Sequence, residues 1–157
     1  MILKISDLGR GPRRFDFDLD PSHLGDALGG RTDIDGDARA RASVEASLYR
    51  RTVNVRGWVE VEFRFDCARC AGAFTGTHRV AWHLILSPHS DAPGPEEEDE
   101  GFGYYRNDRF DLGRAAAEYA ALTMPEVLLC RDDCRGLCAG CGANLNEEPC
   151  RCAAKRE

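Results

Sequence analysis

The stretch VNVRGWVEVEFRFDCARC, Val53–Cys70, decides the fold. Val53, Val55, Val59, Val61, Phe63 and Phe65 share one parity, and Glu60, Glu62 and Arg64 share the other. A period of two over so many residues predicts a long, half-buried strand. Gly57 interrupts the pattern and is expected to mark a bulge. Cys67 continues the apolar parity, and Cys67-Ala68-Arg69-Cys70 opens the connection to the next strand. That next strand is marked by Val80, Trp82, Leu84 and Leu86.

Upstream, Val44, Ala46 and Leu48 share a face, and Phe15-Asp16-Phe17-Asp18-Leu19-Asp20 alternates apolar with acidic side chains. Ile2 to Leu8 is a weaker strand, expected to pair with 15–20 as a hairpin across Gly9, Gly11 and Pro12. Pro21 is expected to end the second strand. Residues 22–37, rich in Gly and Asp, read as a turn-laden connection. Downstream, 88–101 (PHSDAPGPEEEDEG) reads as a mobile acidic loop. Asp111 caps a helix over about 112–124, and Pro125 stops it. The fold class expected is α+β: a bent antiparallel sheet or partial barrel, one main helix, and a Cys-rich zinc-bound C-terminal segment. The 157 residues suit one domain, 1–157, with the 126–157 segment packed on the 67–70 turn.

The net charge of −6 is uneven: residues 1–87 carry 13 basic and 12 acidic side chains, and 88–157 carry 8 and 15. An acidic chain is a poor general binder of phosphate backbones, so RNA contact would fall to local clusters such as Arg13-Arg14 and Arg50-Arg51. Trp58, on the polar parity of its strand, is the candidate stacking group; Trp82 reads as core. The acidic 88–101 loop suits a basic protein partner. No run reaches the roughly 18 apolar residues of a membrane span. The N-terminal stretch lacks the order of a secretory signal, so a cytoplasmic location is expected.

A reducing compartment turns eight cysteines toward metal ligation rather than disulfides. Cys130, Cys134, Cys138, Cys141, Cys150 and Cys152 lie within 23 residues. A CxxC turn sets two sulfurs on one side of a tight loop, and four thiolates give the tetrahedral environment Zn²⁺ favours. Gly142, after Cys141, can take the positive φ by which a chain leaves a zinc knuckle. Arg69, Arg131, Arg135 and Arg151 adjoin cysteines and can offset the charge of zinc with four thiolates. Leu137 and Leu145 are the only large apolar residues of 130–157, so bound metal would supply folding free energy the segment lacks. The expectation is one or two structural Zn²⁺ per chain, with Cys67, Cys70, Cys130, Cys134, Cys138, Cys141, Cys150 and Cys152 as ligands. For a single site, Cys67, Cys70, Cys138 and Cys141 form the preferred set. The rival set is Cys130, Cys134, Cys138 and Cys141, which leaves Cys150 and Cys152 to join Cys67 and Cys70. Spacing alone leaves both open.

The run Cys130-Arg-Asp-Asp-Cys134-Arg-Gly-Leu-Cys138-Ala-Gly-Cys141-Gly-Ala-Asn-Leu-Asn146, followed by Cys150-Arg-Cys152, resembles the C-terminal signature of the YceD family. Phe65-Asp-Cys67-Ala-Arg-Cys70 is similar to that family's central motif, and the likeness covers about residues 40–152. Ala139 stands where many members have Pro. The resemblance implies a role in accumulation of large-subunit ribosomal RNA, hence in ribosome biogenesis. The partner would be ribosomal RNA or a ribosomal or assembly protein.

No Gly-rich phosphate loop, GxSxG or catalytic grouping of His23, His78, His83 and His89 is present, so neither an enzyme nor a small-molecule substrate is expected. His78 and His83 fall on opposite faces of their strand. Two alternatives stand: a redox-sensing switch that releases zinc on oxidation, and a zinc-stabilised protein-interaction module.

Overall fold

The computed structural model describes residues 1–9, 11–29, 31, 38–89 and 102–152. Its centre is the decisive stretch itself. β4 (Thr52–Asp66) runs unbroken between β3 (Arg39–Tyr49) and β5 (Ala73–Pro88), antiparallel to both. β2 (Arg13–Asp18) adds antiparallel to β3, and β6 (Phe102–Tyr105) adds parallel to β5. The sheet order is thus β2-β3-β4-β5-β6, open and mixed rather than wholly antiparallel. Residues 90–101, which hold nearly all of the acidic loop, lie outside the described residues.

The apolar parity of β4 forms the core: Val53, Val55, Val59 and Val61 have no exposed surface, and Phe63 and Phe65 are buried. α2 (Leu112–Thr123) packs across this face at β4 and β5. Its inner side is Ala116, Ala117 and Ala120, all fully buried; these small side chains let the helix lie close to the valines. Asp111 caps it as expected, its carboxylate accepting from the Arg114 N–H at 3.0 Å.

Three local expectations are corrected. β1 (Ile2–Lys4) pairs with β7 (Arg109–Asp111), not with β2, and between β1 and β2 the chain makes a 3-10 turn over Ile5–Leu8. Pro21 does not merely end a strand. It opens a second helix, α1 (Pro21–Leu28), at the position where a missing N–H costs nothing, with Asp20 as the cap. α1 packs against α2 and β3 and buries Leu24. Gly57 marks no bulge, since the β3–β4 and β4–β5 registers run through it unchanged. Its role is close approach: a Cβ there would lie 2.1 Å from the Ser43 carbonyl oxygen.

The opposite sheet face is polar. Glu60 of β4 sits between Arg41 and Arg79 of the flanking strands, at 2.6 Å and 3.5 Å. The Arg79 guanidinium covers the Trp58 ring at 4.0 Å. Trp82 is buried in the core and packs against Tyr119. His78 meets Thr123 of α2, while His83 meets Asn54 on the polar face.

Candidate metal centre

The two ends of β4 face different tasks, and the cysteines lie at its C-terminal end. The β4–β5 turn folds on itself: the Cys67 N–H donates to the Gly72 carbonyl at 2.9 Å, and the Ala71 N–H to the Cys67 carbonyl at 2.8 Å. The segment after α2 is clasped to this turn. The Ala68 N–H donates to Leu128 and the Leu137 N–H to Arg69, at 2.9 Å and 3.0 Å. The Arg69 guanidinium donates to the carbonyls of Asp132 and Cys134. Gly136 permits the clasp: its φ is +72°, and a Cβ would lie 2.9 Å from the Arg69 carbonyl oxygen.

These contacts bring Cys67, Cys70, Cys130 and Cys134 together as one group. Cys138, Cys141, Cys150 and Cys152 form a second. Within each, all four sulfurs lie within 4.8 Å of one another. This differs from both single-site pairings expected above. The two CxxC turns do not share a site, and Cys150 and Cys152 do not join Cys67 and Cys70. Chain geometry explains the outcome: the clasp sets Cys130 and Cys134, not Cys138, over the β4–β5 turn.

Both groups fit a tetrahedral metal. Four sulfurs about 2.3 Å from a common centre are separated by about 3.8 Å. In the inner group Cys67–Cys134 and Cys70–Cys130 are 3.8 Å and 3.9 Å apart. In the outer group Cys138 lies 3.3 Å from Cys150 and 3.7 Å from Cys152, and Cys141 lies 3.9 Å from Cys150. The settings differ. Cys67, Cys70 and Cys134 are buried beside Leu129, whereas Cys141 and Cys150 are exposed.

The electrostatics divide each group into easily and reluctantly ionised thiols. Burial raises the Cys67 thiol, but backbone amides of Cys130, Cys70 and Arg69 outweigh it and bring the pKa down to about 6. The amides of Cys141 and Gly140 lower Cys138 to about 6 as well. The neighbours then suffer. Burial and the adjoining sulfurs push Cys130 up to about 12, and the sulfurs of Cys150, Cys138 and Cys141 do the same to Cys152. Four thiolates so close cannot all ionise without a cation among them.

Asn146, quoted above only as the end of the family-like run, acquires a role in the structure. Its side-chain oxygen accepts from the Arg135 N–H at 2.8 Å and the Arg131 guanidinium at 2.7 Å. Its amide nitrogen donates to Cys134 Sγ at 3.3 Å and to Asn144 Oδ1 at 2.8 Å. It thereby orients an inner-group sulfur from the loop that carries the outer group. Nothing in the spacing of Asn144 and Asn146 announces a contact to a sulfur of the other group. Of the arginines expected to offset thiolate charge, Arg69 and Arg131 act on carbonyl and amide oxygens, and Arg151 pairs with Glu148.

An α+β chain with two four-cysteine groups that can each hold a metal ion defines the class. The chain belongs to the YceD family: the family model, described as "Large ribosomal RNA subunit accumulation protein YceD", matches residues 55–157, which include both groups. Similar curated proteins include uncharacterised proteins of Mycobacterium bovis and Mycobacterium tuberculosis. Each is 32% identical over 155 residues, covering 95% of this chain and 72% of the relative. An uncharacterised Mycobacterium leprae protein is 30% identical over 97 residues, covering 62% of this chain and 45% of its own. No solved structure matches the chain. No helix among the described residues is long and apolar enough to cross a membrane.

Proposed function

We propose that this chain is a non-enzymatic cytoplasmic factor in the accumulation of large-subunit ribosomal RNA, held in shape by two structural zinc ions. The observation that carries the reading is the family match over 55–157. The partner on this reading is ribosomal RNA or a ribosomal or assembly protein, with no small-molecule substrate.

Cys67, Cys70, Cys130 and Cys134 would hold the inner ion, and Cys138, Cys141, Cys150 and Cys152 the outer. Zinc suits an all-thiolate tetrahedral set with no open position, and such closed sites stabilise rather than catalyse. The test of process is depletion in the native host: the ratio of large- to small-subunit ribosomal RNA should fall and recover on re-expression. An unchanged ratio refutes the assignment. The test of metal is elemental analysis of chain purified without added zinc, with two equivalents expected. Iron in place of zinc, or well under one equivalent, refutes that part. The exposure of Cys141 and Cys150 favours one second reading, oxidative release of the outer ion. Loss of one zinc equivalent under mild peroxide, restored by a thiol reductant, would support it.

A further inference from the structure

The loop between Cys141 and Cys150 belongs to the outer group by sequence and to the inner group by contact. Asn146 lies on it, and its amide donates to Cys134 Sγ at 3.3 Å. Its side-chain oxygen takes the Arg135 N–H and the Arg131 guanidinium, both from the segment around Cys134. Among the contacts described, Asn146 bonds no sulfur of the outer group. The loop has little else to hold it. Residues 124–152 form no helix or strand among those described, only an isolated bridge between Leu137 and Asn144. Ala143 is the one buried side chain from Leu137 to Cys152. The Cys138 N–H donates to the Ala143 carbonyl at 2.8 Å, and the Leu145 N–H to the Gly136 carbonyl at 2.9 Å. A few backbone bonds with water as the alternative partner hold a loop weakly. Its order then falls to whatever joins Cys138, Cys141, Cys150 and Cys152.

We propose that the two cysteine groups are coupled through Asn146. An ion in the outer group fixes the loop, the fixed loop presents the Asn146 amide to Cys134, and the inner ion is held more tightly. The inference deepens the two-zinc reading and rests on it. The sign follows from pre-organisation: with the outer group empty, inner binding must itself order the loop before Asn146 can orient the sulfur. By linkage, the inner ion strengthens the outer one by the same factor. Losing a partner that orients a ligand weakens binding by up to about 100-fold, which bounds the coupling from above. Ordinary coupling between sites begins at about 5-fold. The exposed sulfurs of Cys141 and Cys150 thereby gain a route to the β4–β5 turn: whatever empties the outer group loosens the ion that clasps that turn.

The test uses the full zinc-loaded chain. Isotopically enriched zinc in excess keeps the outer group filled, and native mass spectrometry follows the slow exchange of the inner ion, since affinity changes fall mostly in the rate of release. Cys141→Ser with Cys150→Ser, at two exposed positions, disables the outer group. The inner ion should then exchange about 5- to 100-fold faster. Asn146→Ala alone should also speed it. Adding Asn146→Ala to the cysteine pair should change little more, because the loop no longer presents the amide. Equal exchange in the full chain and the cysteine variant overturns the proposal. So do effects that multiply in the combined variant, which would make Asn146 and the outer ion independent. A second arm changes no cysteine and decides if the cysteine variant retains no zinc. On chelator titration of Asn146→Ala, the first ion to leave should do so at a free-zinc level about 5- to 100-fold higher than in the unmodified chain. Release at the unchanged level overturns the proposal. Circular dichroism checks that the sheet is intact in each variant. An unmodified chain that binds no zinc refutes the two-zinc reading instead.

Discussion

The amide of Asn146, in the loop that holds the second cysteine group, donates to the sulfur of Cys134 at 3.3 Å. The contact stabilises the thiolate over the thiol and fixes which way the sulfur points. Replacing Asn146 by Ala should lower metal affinity of the inner group about 10- to 100-fold, as loss of a partner that orients a ligand does. Asn146→Asp should be worse, because it sets a carboxylate against a thiolate. Competition against a chromogenic chelator measures both.

Graded chelation should remove two ions in order. The outer group, with Cys141 and Cys150 exposed, should empty before the inner group, which is buried around Cys67 and Cys134. Native mass spectrometry would show a one-ion species accumulating first. Cys141→Ser should abolish that step and leave the other, and Cys67→Ser should do the reverse. Loss of both ions together would refute the order.

Gly57→Ala tests the close approach of β3 and β4. A Cβ 2.1 Å from the Ser43 carbonyl oxygen cannot be accommodated without shifting backbone in the central strand. Destabilisation of about 3 kcal/mol is expected in urea unfolding, at the upper end for overpacking. A cost below about 0.5 kcal/mol, as at ordinary surface positions, would mean that the strands separate freely there.

Ala120→Leu probes the helix–sheet spacing. Ala120 has no exposed surface, so three added carbons must push α2 from β4 and β5. About 1–3 kcal/mol should be lost, with zinc content unchanged because the cysteine groups lie beyond the helix.

The core was legible because it is a matter of parity. Every apolar side chain alternating from Val53 to Phe65 is buried, and the cap at Asp111 and the stop at Pro125 follow from local chemistry. What the sequence hid was non-local or ambiguous. Ile2–Lys4 pairs with residues more than 100 positions away, which no local pattern announces. In α1, Pro21 and Gly25 read as breakers, yet Pro suits a first helical turn and the packing of Leu24 supports the rest. The cysteines were legible as candidate ligands by type and density, and all eight fall into the two groups that could hold a metal ion. Their grouping was not, because it depends on the Arg69–Leu137 clasp, formed only once two distant segments meet. The repeated CxxC suggested a symmetry that the fold does not use.

With metal in the inner group, the stretch from Cys67 to Cys134 becomes a closed ring joined through the ion, and β5, β6, β7 and α2 all lie within it. Closing a ring of that length in the unfolded chain costs about 4 kcal/mol of entropy. A bound ion would withhold that freedom from the denatured state much as a disulfide does. The ring also has an order of assembly. Its first two ligands emerge from the ribosome some 60 residues before its last two, so only a chain translated through Cys134 can be sealed.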